Sequence, residues 1–280
     1  MKKARQREFV GEVLGTFVLT LFGCGAVAVS VLFNAHQGLM QVALVWGVGV
    51  MLAIYVTRHL SCAHLNPAVS IAMVASGRMK PKSLPVYLAG QFVGAILAGF
   101  AIYLLFNSSI VAFEAANGIV RGSPASVTTA KMFGEFFPNP GSGAVVSMPM
   151  AMTVEAFATF LLVLFIFAMT ESCNVGRPND NSAPVFIGLT VTSLICLTAP
   201  LTQTGMNPAR DFGPRLVSWL MGWGDAAFPG AAGSGGFFWV YMLMPIVGGV
   251  VAALMFTRIV EPLMRSKTEP CECERQKQTK

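Results

Sequence analysis

Six stretches of this 280-residue chain are long and apolar enough to cross a bilayer, and nothing else in the sequence limits the fold as strongly. They lie at roughly residues 9 to 33, 40 to 60, 84 to 106, 147 to 169, 183 to 203 and 237 to 260. Each is close to the ~20 residues that span ~30 Å of hydrocarbon as a helix. Hydrocarbon offers backbone amides no partner, so such spans are helical, each bonding within itself. Composition agrees: 11% of residues are charged and 54% hydrophobic, against roughly 25% charged in a soluble domain. The first span is too long, and followed by too many others, to be a cleaved signal.

Basic residues orient the spans. Lys2, Lys3, Arg5 and Arg7 precede the first span, and Arg78, Lys80 and Lys82 follow the second. Arg177, and then Arg265, Lys267, Arg275, Lys277 and Lys280, fall on the same side, whereas the connection of roughly residues 107 to 146 has only Arg121 and Lys131. This places both termini in the cytoplasm of a multi-pass plasma (inner) membrane protein, with residues 107 to 146 as an external loop and roughly 261 to 280 as a cytoplasmic tail. Topology therefore accounts for the net charge of +6, and no nucleic-acid partner is expected. The loop holds Pro124, Pro138 and Pro140 and reads as ordered or partly ordered. Asn107-Ser108-Ser109 is a formal glycosylation sequon, too short to use alone.

The cysteines form no disulfide framework, and the two tail thiols, Cys271 and Cys273, do not complete a zinc site. The 16 methionines are scattered among the spans. No metal or cofactor is expected.

Within this apolar frame the triplet Asn-Pro-Ala occurs twice, as Asn66-Pro67-Ala68 and Asn207-Pro208-Ala209. Asparagine caps helix N-termini and proline suits the first turn, so each triplet starts a helix with its free amides aimed backwards. The apolar stretches that follow, Ala68 to about Ser76 and Ala209 to about Leu220, are too short to cross alone and read as re-entrant half-helices. Irregular backbone at this depth survives only against protein or water, so residues roughly 61 to 66 and 202 to 207 are expected to line a wet path, with carbonyls from Cys62, Ala63, His64, Gln203 and Gly205.

The triplets belong to an internal repeat. Glu12-Val13-Leu14-Gly15-Thr16-Phe17 matches Glu155-Ala156-Phe157-Ala158-Thr159-Phe160. Gln91-Phe92-Val93-Gly94 likewise matches Pro245-Ile246-Val247-Gly248. With three spans in each half, roughly residues 8 to 107 and 147 to 260, the second half enters the membrane from the opposite side. The fold class is thus an all-α membrane protein, a single domain of six spans and two half-helices in an inverted repeat. Glu12 and Glu155 would be costly within spans unless bonded, and at equivalent positions each can accept hydrogen bonds from a re-entrant loop.

On these residues the chain resembles the aquaporin, or major intrinsic protein, family. The likeness covers essentially the whole chain and is carried by Ala63-His64-Leu65-Asn66-Pro67-Ala68-Val69 and Gly205-Met206-Asn207-Pro208-Ala209-Arg210-Asp211-Phe212-Gly213-Pro214. Asp211 after Arg210 is typical of the aquaglyceroporin branch. The resemblance implies a non-enzymatic homotetramer in the lipid bilayer, with one pore per subunit. Each pore would pass glycerol, other polyols, urea and water down their gradients while excluding ions and protons. It also implies a narrow selectivity ring of Trp46, Ile195, Thr204 and Arg210, with Asn66 and Asn207 donating to passing oxygens and with His64, Met206 and Asp211 in structural roles. The best-known glycerol facilitators place phenylalanine where Thr204 falls and glycine where Ile195 falls, and water-selective relatives have histidine at the latter. A mainly water-conducting aquaporin and an alternating-access transporter, which also uses inverted repeats and broken helices, remain the alternatives.

Overall fold

A computed structural model describes residues 2–36, 38–229 and 234–266. Cys271 and Cys273, with most of the basic tail, lie outside the described residues. Among those described, the chain is helical without strands, and six helices are long and apolar enough to cross a membrane. In order the helices are α1 (Lys2–Phe33), α2 (Leu39–Ser61), α3 (Pro67–Ala75), α4 (Leu84–Ala116), α5 (Val127–Ala130), α6 (Met148–Thr170), α7 (Ala183–Thr202), α8 (Pro208–Ser218), α9 (Ser234–Phe237), α10 (Met244–Met255) and α11 (Glu261–Arg265). Helices α9, α10 and α11 are joined by π-type turns at Phe238–Leu243 and Phe256–Val260, giving one sixth span.

Helix α4 runs about three turns past its expected end near residue 106. Its extension is tied down by a buried Ile110 and by Glu114, whose carboxylate accepts from Thr129 Oγ1 at 2.7 Å and from Arg121 Nε at 3.0 Å. Arg121 in turn lies 4.1 Å over the Trp223 ring. Asn107-Ser108-Ser109 is therefore helical, and the connection from α4 to α6 is shorter and more ordered than its proline content alone indicates.

The halves interlock. Helix α1 packs against α4 and α2, α6 packs against α10 and α7, and α2 against α7 joins the two groups. Each half-helix leans on the third span of the other half, α3 on α10 and α8 on α4. Membrane helices gain little from the hydrophobic effect against lipid and associate through close contact at small residues. Gly94 and Gly248 supply that contact. A Cβ on Gly94 would lie 2.3 Å from the Val13 carbonyl oxygen, and one on Gly248 1.9 Å from that of Ala156. Val13 and Ala156 are themselves matched positions of the repeat, so one backbone crossing is used twice.

At the face bearing the termini, Arg78 just beyond α3 bonds Glu171 and Glu261, both at 2.7 Å, and Arg265 bonds Glu261 at 2.7 Å and Glu171 at 3.4 Å. The Arg78 guanidinium also sits 4.5 Å over the Phe167 ring. This network clasps a half-helix to the ends of the fourth and sixth spans. Burial works against the Glu171 charge, but the Cys173 N–H and Arg78 outweigh it and hold the carboxyl down at about 2.

Two outcomes follow from these contacts. Gly94→Ala or Gly248→Ala is expected to cost about 1–3 kcal/mol through backbone overpacking, read as a lower melting temperature in detergent. Gly235→Ala, whose new carbon meets nothing within 4 Å, is the neutral control. A depressed carboxyl stabilises the fold above its ordinary value of 4.5, and that stabilisation is lost as pH falls toward about 2. The wild-type melting temperature should accordingly drop more steeply across that window than that of Glu171→Gln.

Candidate pore and its narrowest ring

The two loops ahead of the half-helices have the same unusual backbone. Cys62, Ala63 and Leu65 have positive φ of 62°, 52° and 55°, and Gln203, Thr204 and Met206 repeat this at 57°, 68° and 52°. None is glycine, and such left-handed conformations cost about 1–3 kcal/mol each. Something must hold them, and in each loop it is a buried glutamate.

Glu12 is fully buried and accepts from Ser61 Oγ at 2.6 Å, from the His64 N–H at 3.1 Å, from the Leu65 N–H at 2.7 Å and from Gln91 Nε2 at 2.7 Å. Glu155, equally buried, accepts from Thr202 Oγ1 at 2.6 Å, from the Gly205 N–H at 2.9 Å and from the Met206 N–H at 2.8 Å. A tyrosine completes each bracket: Tyr87 donates to the Ser61 carbonyl and Tyr241 to that of Thr202. With its amides turned to the carboxylate, each loop can aim carbonyls the other way.

The triplets do more than cap. Asn66 Oδ1 accepts from the Ala68 N–H at 2.8 Å, and Asn207 Oδ1 accepts from the N–H groups of Ala209 at 3.1 Å and Arg210 at 3.3 Å. Pro67 and Pro208 occupy the first helical turns, and Ala68 and Ala209 are fully buried behind them. In addition, Asn66 Nδ2 donates to the Met206 carbonyl at 2.9 Å and Asn207 Nδ2 to that of Leu65 at 2.8 Å. The loops are thus stitched together across the repeat, and each amide keeps a second N–H.

A cavity of about 480 Å³ runs from Arg58, Arg78 and Asp180 at the terminal face past both asparagines to Thr204 and Arg210. Cys62, Ala63, His64 and Gly205 line it, as do Leu65 and Met206. A second cavity of about 260 Å³ opens on the opposite side, near His36 and Asn139, and includes Gln203. The two share Trp46 and Ile195. Trp46 and Ile195 therefore lie where the cavities meet, and Thr204 and Arg210 line the larger one; each of the four is no more than 5% exposed. The Arg210 guanidinium lies 4.0 Å from the centre of the Trp46 ring. That ring fits only because residue 23 is glycine, since a Cβ there would fall 2.0 Å from an indole carbon.

Sequence reasoning missed a fifth participant. Glu135, from the connection between α5 and α6, forms a buried ion pair with Arg210 and reaches the smaller cavity. It is placed by its backbone. Its N–H donates to Asp211 Oδ1 at 2.7 Å, its carbonyl accepts from Arg215 Nη2 at 2.6 Å, and the next N–H, of Phe136, donates to Gln203 Oε1 at 2.9 Å. Asp211 and Arg215 are themselves a buried pair at 2.7 Å. The only signal for Glu135 was its being one of two acids between residues 107 and 146, which does not identify its partner. His64 is packed as well as lining, with Nδ1 3.2 Å from Ser70 Oγ and its ring 4.8 Å from that of Tyr87.

These features define a six-span membrane protein with a lined path between its two faces. Residues 1–256 match the family model described as "Major intrinsic protein", and the chain belongs to that family. It is 38% identical over 268 residues to the glycerol uptake facilitator protein of Pseudomonas aeruginosa, covering 96% of this chain and 94% of that protein. It is 35% identical over 271 residues to the propanediol uptake facilitator of Citrobacter freundii, covering 97% and 96%. Among solved structures, the aquaglyceroporin from Plasmodium falciparum aligns with a TM-score of 0.79 and 28% identity over 93% of this chain and 99% of that one.

Replacing Glu155 by Ala strands the Gly205 and Met206 amides, each at about 1–3 kcal/mol. The expected outcome is a lower melting temperature together with lost water and solute flow in proteoliposomes. Wild-type values for both would show that the loop holds itself.

Proposed function

We propose that the chain is a passive channel for glycerol and similar small uncharged solutes, with water, and not an enzyme. The observation that carries this reading is the lining where the two cavities meet: an indole and an isoleucine belong to both, and a guanidinium lies against the indole. A polyol has the same asymmetry, with carbon on one side and hydroxyls on the other. Trp46 and Ile195 receive the carbon backbone, while Arg210 donates from its planar fork to neighbouring hydroxyl oxygens. Relatives called glycerol and propanediol uptake facilitators, and a structural neighbour called an aquaglyceroporin, support the solute class.

Beyond the ring, the carbonyls of Cys62, Ala63, His64, Gln203 and Gly205 accept from the solute's hydroxyls, and the second N–H of Asn66 and of Asn207 donates to its oxygens. Two helix N-termini meet at that point, each equivalent to roughly half a positive charge. They raise the energy of cations there and turn the water chain, interrupting proton conduction. Glu135 partly compensates Arg210, so cation exclusion rests chiefly on these helix ends and on the loss of hydration at the ring.

The chain works as a homotetramer in the lipid bilayer, one path per subunit, in the plasma (inner) membrane. Both termini are cytoplasmic, by the excess of Lys and Arg on that side. Transport is uncoupled. Purified protein in liposomes, tested by light scattering against glycerol, propanediol, urea and water, is expected to give solute flow that is linear in concentration and well above empty vesicles. Glycerol permeability equal to that of empty vesicles with fast water flow would instead identify a water channel, and saturable, gradient-coupled uptake a transporter.

A further inference from the structure

The ring contains a hydroxyl, on Thr204, and a polyol would bond it if it faced the path. The atoms around it point to the opposite use. Thr204 lines the larger cavity, whereas Thr198, on α7 one turn beyond Ile195, is among the lining residues of neither cavity. Thr198 lies behind the wall, buried at 6% exposure, and its Oγ1 is 2.8 Å from Thr204 Oγ1.

Proton accounting then settles the direction of the bond. A threonine hydroxyl has one proton and two lone pairs. Thr198 Oγ1 donates its proton to the Leu194 carbonyl at 2.9 Å, one turn back in its own helix. It is left with lone pairs only, so the proton between the two threonines comes from Thr204. Turning the Thr204 hydroxyl toward the path would break this bond and leave a Thr198 lone pair unpaired in a buried position, at a cost of order 1 kcal/mol or more.

We propose that Thr198 is a positioning residue for selectivity: it keeps the Thr204 hydroxyl turned into the wall, so that the ring presents the Thr204 methyl to the path. Thr204 then acts as part of the apolar corner with Ile195 and Trp46, and Arg210 is the polar group of the ring. This deepens the polyol reading and rests on it. The corner that other facilitators fill with one aromatic ring is divided here between an isoleucine and a threonine methyl.

The test is permeation through proteoliposomes of the full chain, read as the ratio of the fastest solute among glycerol, propanediol and urea to water. Thr204→Val keeps a methyl toward the path and leaves the Thr198 bond to Leu194 intact, so it is expected to shift the ratio less than Thr204→Ser does. Thr204→Ser, which lacks the methyl, and Thr198→Val, which frees the Thr204 hydroxyl to rotate, are each expected to lower it about threefold to tenfold. Thr198→Ser restores the acceptor and the wild-type ratio. The proposal is overturned if Thr204→Val shifts the ratio as far as Thr204→Ser does, or if folded Thr198→Val leaves it unchanged. Should Thr198→Val not fold, the two Thr204 variants decide alone. Failure of the channel reading is separate, because it appears as wild-type solute flow no faster than that of empty vesicles.

Discussion

Two carboxylates, buried within the spans and bonded to backbone amides, hold up the rest of the site. Glu12 and Glu155 each gather two loop N–H groups and one hydroxyl from residues in or next to left-handed conformations. The exchange is mutual. Without the loop amides a carboxylate in hydrocarbon would be costly, and without the carboxylate three non-glycine residues per loop would relax out of the left-handed region. Because the alternatives on both sides are poor, the paired state is well defined, and carbonyls can face a water-filled path at mid-membrane.

The ring depends on this bracket at one remove. Thr204 belongs to a bracketed loop, and Arg210 lies in the first turn of the half-helix that the loop introduces. Arg210 is then fixed from two further directions, by the Trp46 face from α2 and by Glu135 from the connection between α5 and α6. That connection is held in turn by Asp211 and Arg215 of the same half-helix. Arginine and its acidic partner are thus placed from one rigid element, α8, which keeps a long side chain from wandering in the path. Asp211, an acid next to an arginine in the sequence, pairs not with that arginine but with Arg215 one turn on.

Much of this was legible beforehand because it rests on local chemistry or on repetition. Apolar length shows where the spans are, an Asn-Pro pair shows where a helix can begin, and a glutamate inside a span demands partners whose identity the repeat narrows to a nearby loop. The expected half-helix starts, at Pro67 and Pro208, agree with the helices described. The boundary of α4 was harder, since its last three turns are held by Glu114, Thr129 and Arg121 rather than by hydropathy. The stitch between the loops, Asn66 to Met206 and Asn207 to Leu65, was also out of reach, because each bond joins residues far apart in the chain.

The sequence by itself determined the six spans, the two broken helices and the membership of Glu12 and Glu155 in the site. Each of these follows from a residue's own solvation cost or backbone preference, which does not depend on distant neighbours. Only the tertiary structure decided that Glu135 pairs with Arg210, that Gly23 makes room for Trp46, and that the Thr198 and Thr204 hydroxyls lie 2.8 Å apart. Those are matters of distance and direction between segments, and a hydroxyl or carboxylate in a linear sequence does not reveal which way it turns.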